Sequence, residues 1–380
     1  MNCIYLDHAA TTKPDPSVVE AMMPYLRESF YNPSALYQPA VKVRTRISEA
    51  RSVTADLIHT SPSKIFFTSG GTESDNWAIR LACELNKEKG RHIITSSVEH
   101  PAVLRTLKAL ESQGYEVTYL PVDHTGLVDV DDLKREIRKD TVLISVMHAN
   151  NEIGTIEPVR KIGSIANERG ILFHIDAVQT FGHIPVDVSA VGADFLSASS
   201  HKIYGPKGCG FLYVKDPASF GKLLYGGSQE NGMRPGTENV PAIIGFGEAS
   251  RIAGKRLEED MKHDEKLREI LLDELFENVR DMSVNGNQDH HLPGIVNVTF
   301  PGISSESLLI VLDGNGICAS AGSACASGAV EPSHVLTACG MSKEDASCSV
   351  RFSIGRENTE NDMISTARVI GEFIKGRKNV

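Results

Sequence analysis

The chain predicts an α/β protein in which a large, mostly parallel seven-stranded sheet is followed by a smaller α+β domain. Two observations predict this. Seven β-prone runs, at 65–68, 92–96, 116–120, 141–147, 171–175, 195–197 and 210–214, are interleaved with helical patterns at 73–89, 102–113, 130–138 and 159–169. Such alternation is how a parallel sheet covered by helices on both faces reads. After Pro241 the pattern changes to one long charged helix, about 243–279, then a polar loop at 285–291 and a separate set of elements. At 380 residues, with 41% hydrophobic and 23% charged, the chain can bury a large core and divide in two.

In order, residues 4–12 open as a short strand running into a polar turn. Helices follow at 16–28 and 34–58, broken by Asn32-Pro33, because the residue before a proline leaves the helical region. The alternating segment comes next. Beyond the long helix lie a strand at 294–300, a helix at 305–313, a loop of small residues, a strand at 349–354 and a closing helix at 360–375.

Composition narrows the function classes. Asp and Glu number 49 against 39 Lys and Arg, a net charge of −10, which disfavours nonspecific binding to nucleic acid or anionic membranes. No run of 18 apolar residues and no leader pattern is evident, so a cytoplasmic location is expected. Seven cysteines, at 3, 83, 209, 318, 325, 339 and 348, include no C-x-x-C pair. That argues against a disulfide framework and a zinc knuckle and leaves individual thiols for chemistry or packing.

The chemistry-bearing stations fall where ligands bind on such sheets, just past the carboxyl ends of strands. In Ser197-Ala198-Ser199-Ser200-His201-Lys202-Ile203-Tyr204-Gly205-Pro206, small residues lead to a His-Lys pair and a Gly-Pro turn. Small side chains admit a bulky ligand, the turn aims Lys202, and a desolvated lysine amine suits Schiff-base chemistry. A solvated loop lysine is the plain alternative. In Thr68-Ser69-Gly70-Gly71-Thr72-Glu73-Ser74-Asp75 a helix start could seat a phosphate, although Thr72-x-x-Asp75 also reads as a capping box. Asp176 follows a strand, where its carboxylate could keep a heteroaromatic nitrogen protonated or simply cap a turn, and Gln179 lies one turn on. His100 reaches the same edge and could stack on an aromatic cofactor or move protons. The run 148–154, with Asn151, is a polar turn there too. Cys325 stands among Ala, Ser and Gly only (319–329), which reads as a mobile loop carrying a reactive thiol or as a tight turn burying one. Arg351 could fork to a substrate carboxylate or form a surface ion pair.

Together these stations resemble the cysteine desulfurases of the NifS/IscS type, within the class V aminotransferases. The resemblance runs nearly end to end. It rests on Tyr5-Leu6-Asp7-His8-Ala9-Ala10-Thr11-Thr12, Phe67-Thr68-Ser69-Gly70-Gly71-Thr72-Glu73-Ser74, Asn150-Asn151-Glu152-Ile153-Gly154, His174-Ile175-Asp176-Ala177-Val178-Gln179, His201-Lys202-Ile203-Tyr204-Gly205-Pro206-Lys207-Gly208, Gly236-Thr237-Glu238-Asn239-Val240-Pro241, Gly322-Ser323-Ala324-Cys325 and Arg351-Phe352-Ser353-Ile354-Gly355-Arg356, in the family's order. It implies fold type I of the enzymes that use pyridoxal 5′-phosphate, with a large domain at 14–250. The small domain would be 1–13 with 251–380 and carry the catalytic loop, about 318–334.

The resemblance also implies residue roles. Lys202 would carry the cofactor and remove the Cα proton, with Asp176 at the pyridinium nitrogen, Gln179 near the phenolic oxygen and His100 stacked on the ring. Gly71, Thr72, Ser199 and His201 would hold the phosphate, completed by Thr237 from a partner subunit, so a homodimer with shared sites is expected. Asn151 would touch cofactor or substrate, Arg351 would grip the carboxylate of L-cysteine, and Cys325 would take the sulfur as a persulfide. The loop looks like that of the iron–sulfur-cluster group, so an iron–sulfur scaffold or a tRNA-thiolating enzyme is the expected sulfur acceptor. A selenocysteine lyase or another class V aminotransferase or lyase is the alternative. Ser200 departs from the family's usual glycine, and the short C-terminal end leaves in doubt the extension that docks a scaffold in longer relatives.

Overall fold

Side chains alternate along the strand Ile65–Thr68: Ile65 and Phe67 pack into one core with Ile94, Phe173 and Phe211, whereas Phe66 packs on the opposite side with Trp77, Ile93 and Phe195. A sheet buried on both faces needs this period of two, with apolar residues pointing each way. The computed structural model describes residues 3–219, 221–321 and 332–377. Cys325, with the rest of 322–331, lies outside the described residues.

The elements run β1 (Ile4–Tyr5), α1 (Pro16–Arg27), α2 (Gln38–Asp56), β2 (Ile65–Thr68), α3 (Gly71–Leu85), β3 (His92–Ser96), α4 (Pro101–Glu111), β4 (Glu116–Leu120), α5 (Val130–Glu136), β5 (Thr141–Met147), α6 (Val159–Glu168), β6 (Leu172–Asp176), α7 (Val188–Val191), β7 (Phe195–Ser199) and β8 (Gly210–Val214). The long helix α8 (Val240–Asn278) follows, then β9 (Ser283–Asn285), β10 (Ile295–Thr299), α9 (Ser305–Gly314), β11 (Ile317–Cys318), α10 (His334–Ala338), α11 (Lys343–Ala346), β12 (Ser349–Ser353) and α12 (Glu360–Arg377).

Seven strands form the large sheet in the order β2-β8-β7-β6-β5-β3-β4. Only β8 runs against its neighbours, antiparallel to both β2 and β7. Its direction follows from its connection: the turn between Ser199 and Gly210 contains no crossover helix, and a parallel return needs one. Between β3 and β5 the chain reverses its progress across the sheet, because β4 lies outside β3 while β6 and β7 build the other way. That is the kind of point where α/β sheets open a crevice.

A second core, of Leu6, Val296, Val298, Phe300, Phe352 and Met363 among others, gathers around the antiparallel sheet β12-β10-β9. Helix α8 serves both cores. Residues Val240 to Ala253 face the first, and Leu267, Leu271, Leu272 and Leu275 face the second. Two strands absent from the sequence reading, β9 and β11, are two or three residues long. β11 exists as the parallel partner of β1, which joins the start of the chain to the second core. No helix of the described residues is long and apolar enough to cross a membrane.

The segment that carries Thr237 is anchored from the large sheet. Glu230, 6% exposed, accepts from Arg51 Nη1 at 2.5 Å and Nη2 at 2.7 Å, and from the Phe67 amide at 2.9 Å. Such a fork satisfies both charges in a place where either alone would be costly. Arg51→Leu is expected to lower the unfolding free energy by roughly 3–5 kcal/mol, measured by urea denaturation, because it leaves the buried Glu230 carboxyl without its cation.

Candidate active site

Five strand ends converge on one cavity of ≈ 290 Å³, lined by Gly71 and Thr72 after β2, His100 after β3, Met147 at the end of β5 and Asn151 beyond it, Asp176 at the end of β6 and Gln179 beyond it, and Ser199 at the end of β7 with His201 and Lys202 beyond it. Ala9 and Ala10 close it from the start of the chain, and Arg351 of β12 enters from the second core. Residues scattered over 340 positions thus meet because parallel strands all deliver their following loops to the same edge.

Lys202 sits in a short turn between β7 and the Gly-Pro bend. Gly205 has no alternative there, since a Cβ would lie 2.0 Å from Ser200 Oγ. This also accommodates the serine at position 200, which is fully buried. Tyr204 holds φ at 64°, a left-handed conformation unusual for an aromatic residue, and is pinned from both ends. Its amide donates to Thr12 Oγ1 at 2.7 Å, its hydroxyl accepts from the Arg356 amide at 2.9 Å, and the Arg356 guanidinium stacks 4.2 Å from its ring centroid. The amine of Lys202 donates to the carbonyls of Ala9 at 2.5 Å and Ala10 at 2.9 Å. Gln179 Nε2 donates to the same Ala9 carbonyl at 3.1 Å.

Asp176 ends β6. Its Oδ1 accepts from the Val178 amide at 2.9 Å, so the turn-capping bond is present, yet the carboxyl also faces the cavity. Burial, then the nearby Asp75 carboxyl, push its pKa up to about 6, while His100 draws it down. Asp75, also on the cavity wall, is pushed up to about 7 by burial. Between them stands His174, whose Nδ1 meets Ser145 Oγ at 2.8 Å and whose Nε2 meets Ser197 Oγ at 3.0 Å and lies 3.5 Å from Asp75 Oδ1. Burial lowers the pKa of His174 to about 4, so it stays neutral and offers these carboxyls no counter-charge.

The α3 N-terminus rules out one of the two readings of Thr72. The N-cap is Gly70, at φ +151°, and it offers no side chain to the first turn. Thr72 therefore makes no capping box, and Asp75 is buried rather than reaching back. The uncapped N–H groups face a place where Gly71 is needed, because a Cβ would lie 2.6 Å from Val178 Cγ2. Ser199 and His201 line the same end. His201 meets Thr11 Oγ1 at 3.2 Å through Nδ1, and burial followed by Lys202 and Lys207 lowers its pKa to about 4.

His100 caps α4, its Nδ1 accepting from the Ala102 amide at 3.1 Å. Burial and Lys202 lower its pKa against the pull of Asp176, so the ring is neutral with its proton on Nε2. The two adjacent asparagines divide their work. Asn150 is structural, accepting from the Glu152 and Ile153 amides and donating to the Val98 carbonyl. Asn151 lines the cavity, and its carbonyl accepts from Arg351 Nη1 at 2.8 Å. Arg351 is 2% exposed and its Nη2 reaches Asp7 Oδ1 at 2.7 Å, so it is no surface pair. Thr237 alone among the described candidates is elsewhere, in a separate cleft with Phe67, Glu230 and Arg234. The sequence reading missed the carbonyls of Ala9 and Ala10 and the carboxyl of Asp75. The only signal for the first two was the His8-Ala9-Ala10-Thr11-Thr12 run itself.

A carboxyl raised by burial and by a second carboxyl, an uncapped helix start and an amine on the wall of one small cavity fit a cationic heteroaromatic ring that bears a phosphate and a carbonyl carbon. Residues 4–364 match the family model for class-V aminotransferases. The chain is 49% identical over 377 residues to a cysteine desulfurase IscS of Methanosarcina thermophila, covering 99% of this chain and 93% of that one. It is 47% identical to the IscS of Dictyoglomus turgidum, with 99% and 96% covered. Among solved structures, a NifS-like protein superposes with a TM-score of 0.92 at 37% identity, covering 98% of this chain and all of that one. A structure of SspA in complex with cysteine superposes at 0.81 and 38% identity, covering 94% of this chain.

In the cofactor-free chain Asp176 carries a pKa raised from 3.8 to about 6, so its proton favours the folded state at low pH and that advantage is lost as pH rises through about 6. Asp176→Asn stays neutral throughout. Measured by chemical denaturation of the cofactor-free proteins, its stability relative to the parent is expected to rise by on the order of 3 kcal/mol between about pH 4 and about pH 8.

Proposed function

Since the chain belongs to the class-V aminotransferase family, and within it to the cysteine desulfurases, we propose that it removes sulfur from L-cysteine with pyridoxal 5′-phosphate, giving L-alanine and a persulfide on Cys325. The observation that carries this reading is the single cavity shared by Lys202, Asp176, His100 and Arg351, in a chain whose Gly322-Ser323-Ala324-Cys325 supplies a thiol.

Pyridoxal phosphate, when bound, supplies an electron-withdrawing ring that stabilises negative charge at the substrate Cα. The residues of this chain do the rest. Lys202 Nζ would hold the group covalently and, once released, take the Cα proton. Asp176 would keep its carboxylate against the ring nitrogen and hold a proton there, a role suited to a buried carboxyl on the cavity wall. His100 would stack on the ring, Gln179 would donate near its phenolic oxygen, and Gly71, Thr72, Ser199 and His201 would hold the phosphate. Arg351 would exchange part of its bonding to Asp7 and Asn151 for the substrate carboxylate, with Asn151 beside it. The Cys325 thiolate would take the substrate sulfur as the Cβ–S bond breaks, and the carbon skeleton would leave as alanine after gaining a proton.

Thr237 is supported as a phosphate ligand for a second copy of the chain, because it lies outside its own chain's cavity while its loop is rigidly anchored. A homodimer with shared sites is the corresponding assembly. The persulfide would pass to an acceptor protein, an iron–sulfur scaffold or a tRNA-thiolating enzyme. Following labelled sulfur from cysteine into candidate acceptors identifies which. The two apolar cores support a division into 14–250 and 1–13 with 251–380.

Cys325→Ala is expected to abolish alanine formation from cysteine while leaving the cofactor's visible absorbance, and Lys202→Ala to remove that absorbance. Undiminished alanine from Cys325→Ala would instead favour a selenocysteine lyase or another class V lyase. Arg351→Ala is expected to lower kcat/KM for cysteine roughly 10- to 100-fold, mainly through KM, as the loss of a charged hydrogen-bond pair predicts.

A further inference from the structure

Two thiols meet outside the active-site cavity. Cys3 precedes β1 and Cys318 ends β11, and the two strands pair in parallel with Ile4 opposite Ile317 and Tyr5 opposite Cys318. The Ile4 amide donates to the Gly316 carbonyl and the Leu6 amide to the Cys318 carbonyl, both at 2.8 Å. This pairing sets the sulfur atoms 3.1 Å apart, with Cys3 exposed and Cys318 half-buried. Such a separation is closer than an ordinary contact and about 1 Å beyond the bonding length near 2.05 Å. Neither sulfur touches the cavity of Lys202. Cysteines brought together from positions 315 apart in the chain are placed by the fold and not by local sequence.

We propose that Cys3 and Cys318 form a dithiol site that low-molecular-weight disulfides oxidise to a reversible intramolecular disulfide, clipping β1 to β11. The exposed Cys3 thiolate attacks the disulfide RSSR, forming Cys3–S–S–R and releasing RS⁻. The Cys318 thiol then gives up its proton to solvent and attacks the Cys3 sulfur, forming the Cys3–Cys318 bond and releasing a second RS⁻. Two protein thiols lose two electrons, and RSSR gains them. Cys3 attacks first because it is the exposed sulfur of the two, and contact with Cys3 and burial hold the Cys318 thiol up to about 11.

The clip acts on ground that matters to the site. Ser320, two residues past Cys318, exchanges both backbone hydrogen bonds with Arg351 at 3.1 and 2.7 Å, and the Arg351 side chain holds Asp7, two residues past Tyr5. A covalent tie between β1 and β11 therefore closes a ring through Asp7 and Arg351. The site exists whether or not the chain is a desulfurase.

The test incubates the full-length holoprotein with glutathione disulfide, alkylates the remaining thiols, and maps the peptides by mass spectrometry. The expected result is one Cys3–Cys318 cross-linked pair, two fewer alkylated thiols per chain, reversal by reductant, and no cross-link in Cys3→Ser or Cys318→Ser. Hydrogen exchange at the Ile4 and Leu6 amides is expected to slow several-fold on oxidation of the parent and to stay unchanged in Cys318→Ser. Full alkylation of both cysteines after oxidation, a cross-link of either to another cysteine, or a cross-link between two copies overturns the site. A Cys3–Cys318 bond that leaves the amide exchange unchanged overturns the clip.

Discussion

The arrangement turns on the bonds from the Lys202 amine to the carbonyls of Ala9 and Ala10. A half-buried lysine nitrogen needs acceptors, and here they come from backbone that belongs to a distant part of the chain. That backbone is held in turn. The Ala9 amide donates to Ser353 Oγ at 2.9 Å, Thr11 meets His201, and Thr12 bonds both the His201 carbonyl and the Tyr204 amide. The two carbonyls fix the direction of the amine.

Charges in the surrounding interior are arranged to leave a deficit. Asp75 and Asp176 are raised by burial, Glu157 is pushed up to about 8 and Glu99 well above its ordinary range. The histidines nearby, His148, His174 and His201, are all lowered to about 4. Burial disfavours charge of either sign, so carboxyls and imidazoles alike tend to neutrality. A cationic ring against Asp176 would reverse that for one carboxyl only. Some of these groups have hydrogen bonds that offset part of the cost, as Glu99 Oε1 does with Ser96 Oγ and the Met147 amide, whereas Glu99 Oε2, Asp75 Oδ1, His148 Nδ1 and Glu157 Oε1 are buried without a hydrogen-bond partner among the described residues.

Much of this was legible in advance. Each of the seven large-sheet strands lies within two residues of its apolar run, because β-prone runs bounded by turns are a local property. The helix start at Gly71 reads as a phosphate seat or a capping box, and Gly70 as the N-cap with Asp75 buried removes the capping box. β8 read as one strand among parallel ones, and only its helix-free connection turns it around. β9 and β11 were invisible, since two or three residues carry no periodicity and such strands exist by virtue of their partners. Ala9 and Ala10 were equally hidden, because a carbonyl's role leaves no mark on side-chain identity.

By itself the sequence determined the α/β class and the family, and it singled out Lys202, Asp176, His100, Arg351 and Cys325 as the candidate groups. Side-chain chemistry and hydrophobic period are written residue by residue, so they need no coordinates. Tertiary structure alone decided which groups share a cavity, that Thr237 does not reach its own chain's site, that Arg351 waits on Asp7 and the Asn151 carbonyl, and that Cys3 meets Cys318. These depend on strand order, register and burial, which arise from the packing of segments hundreds of residues apart and have no local signature in the chain.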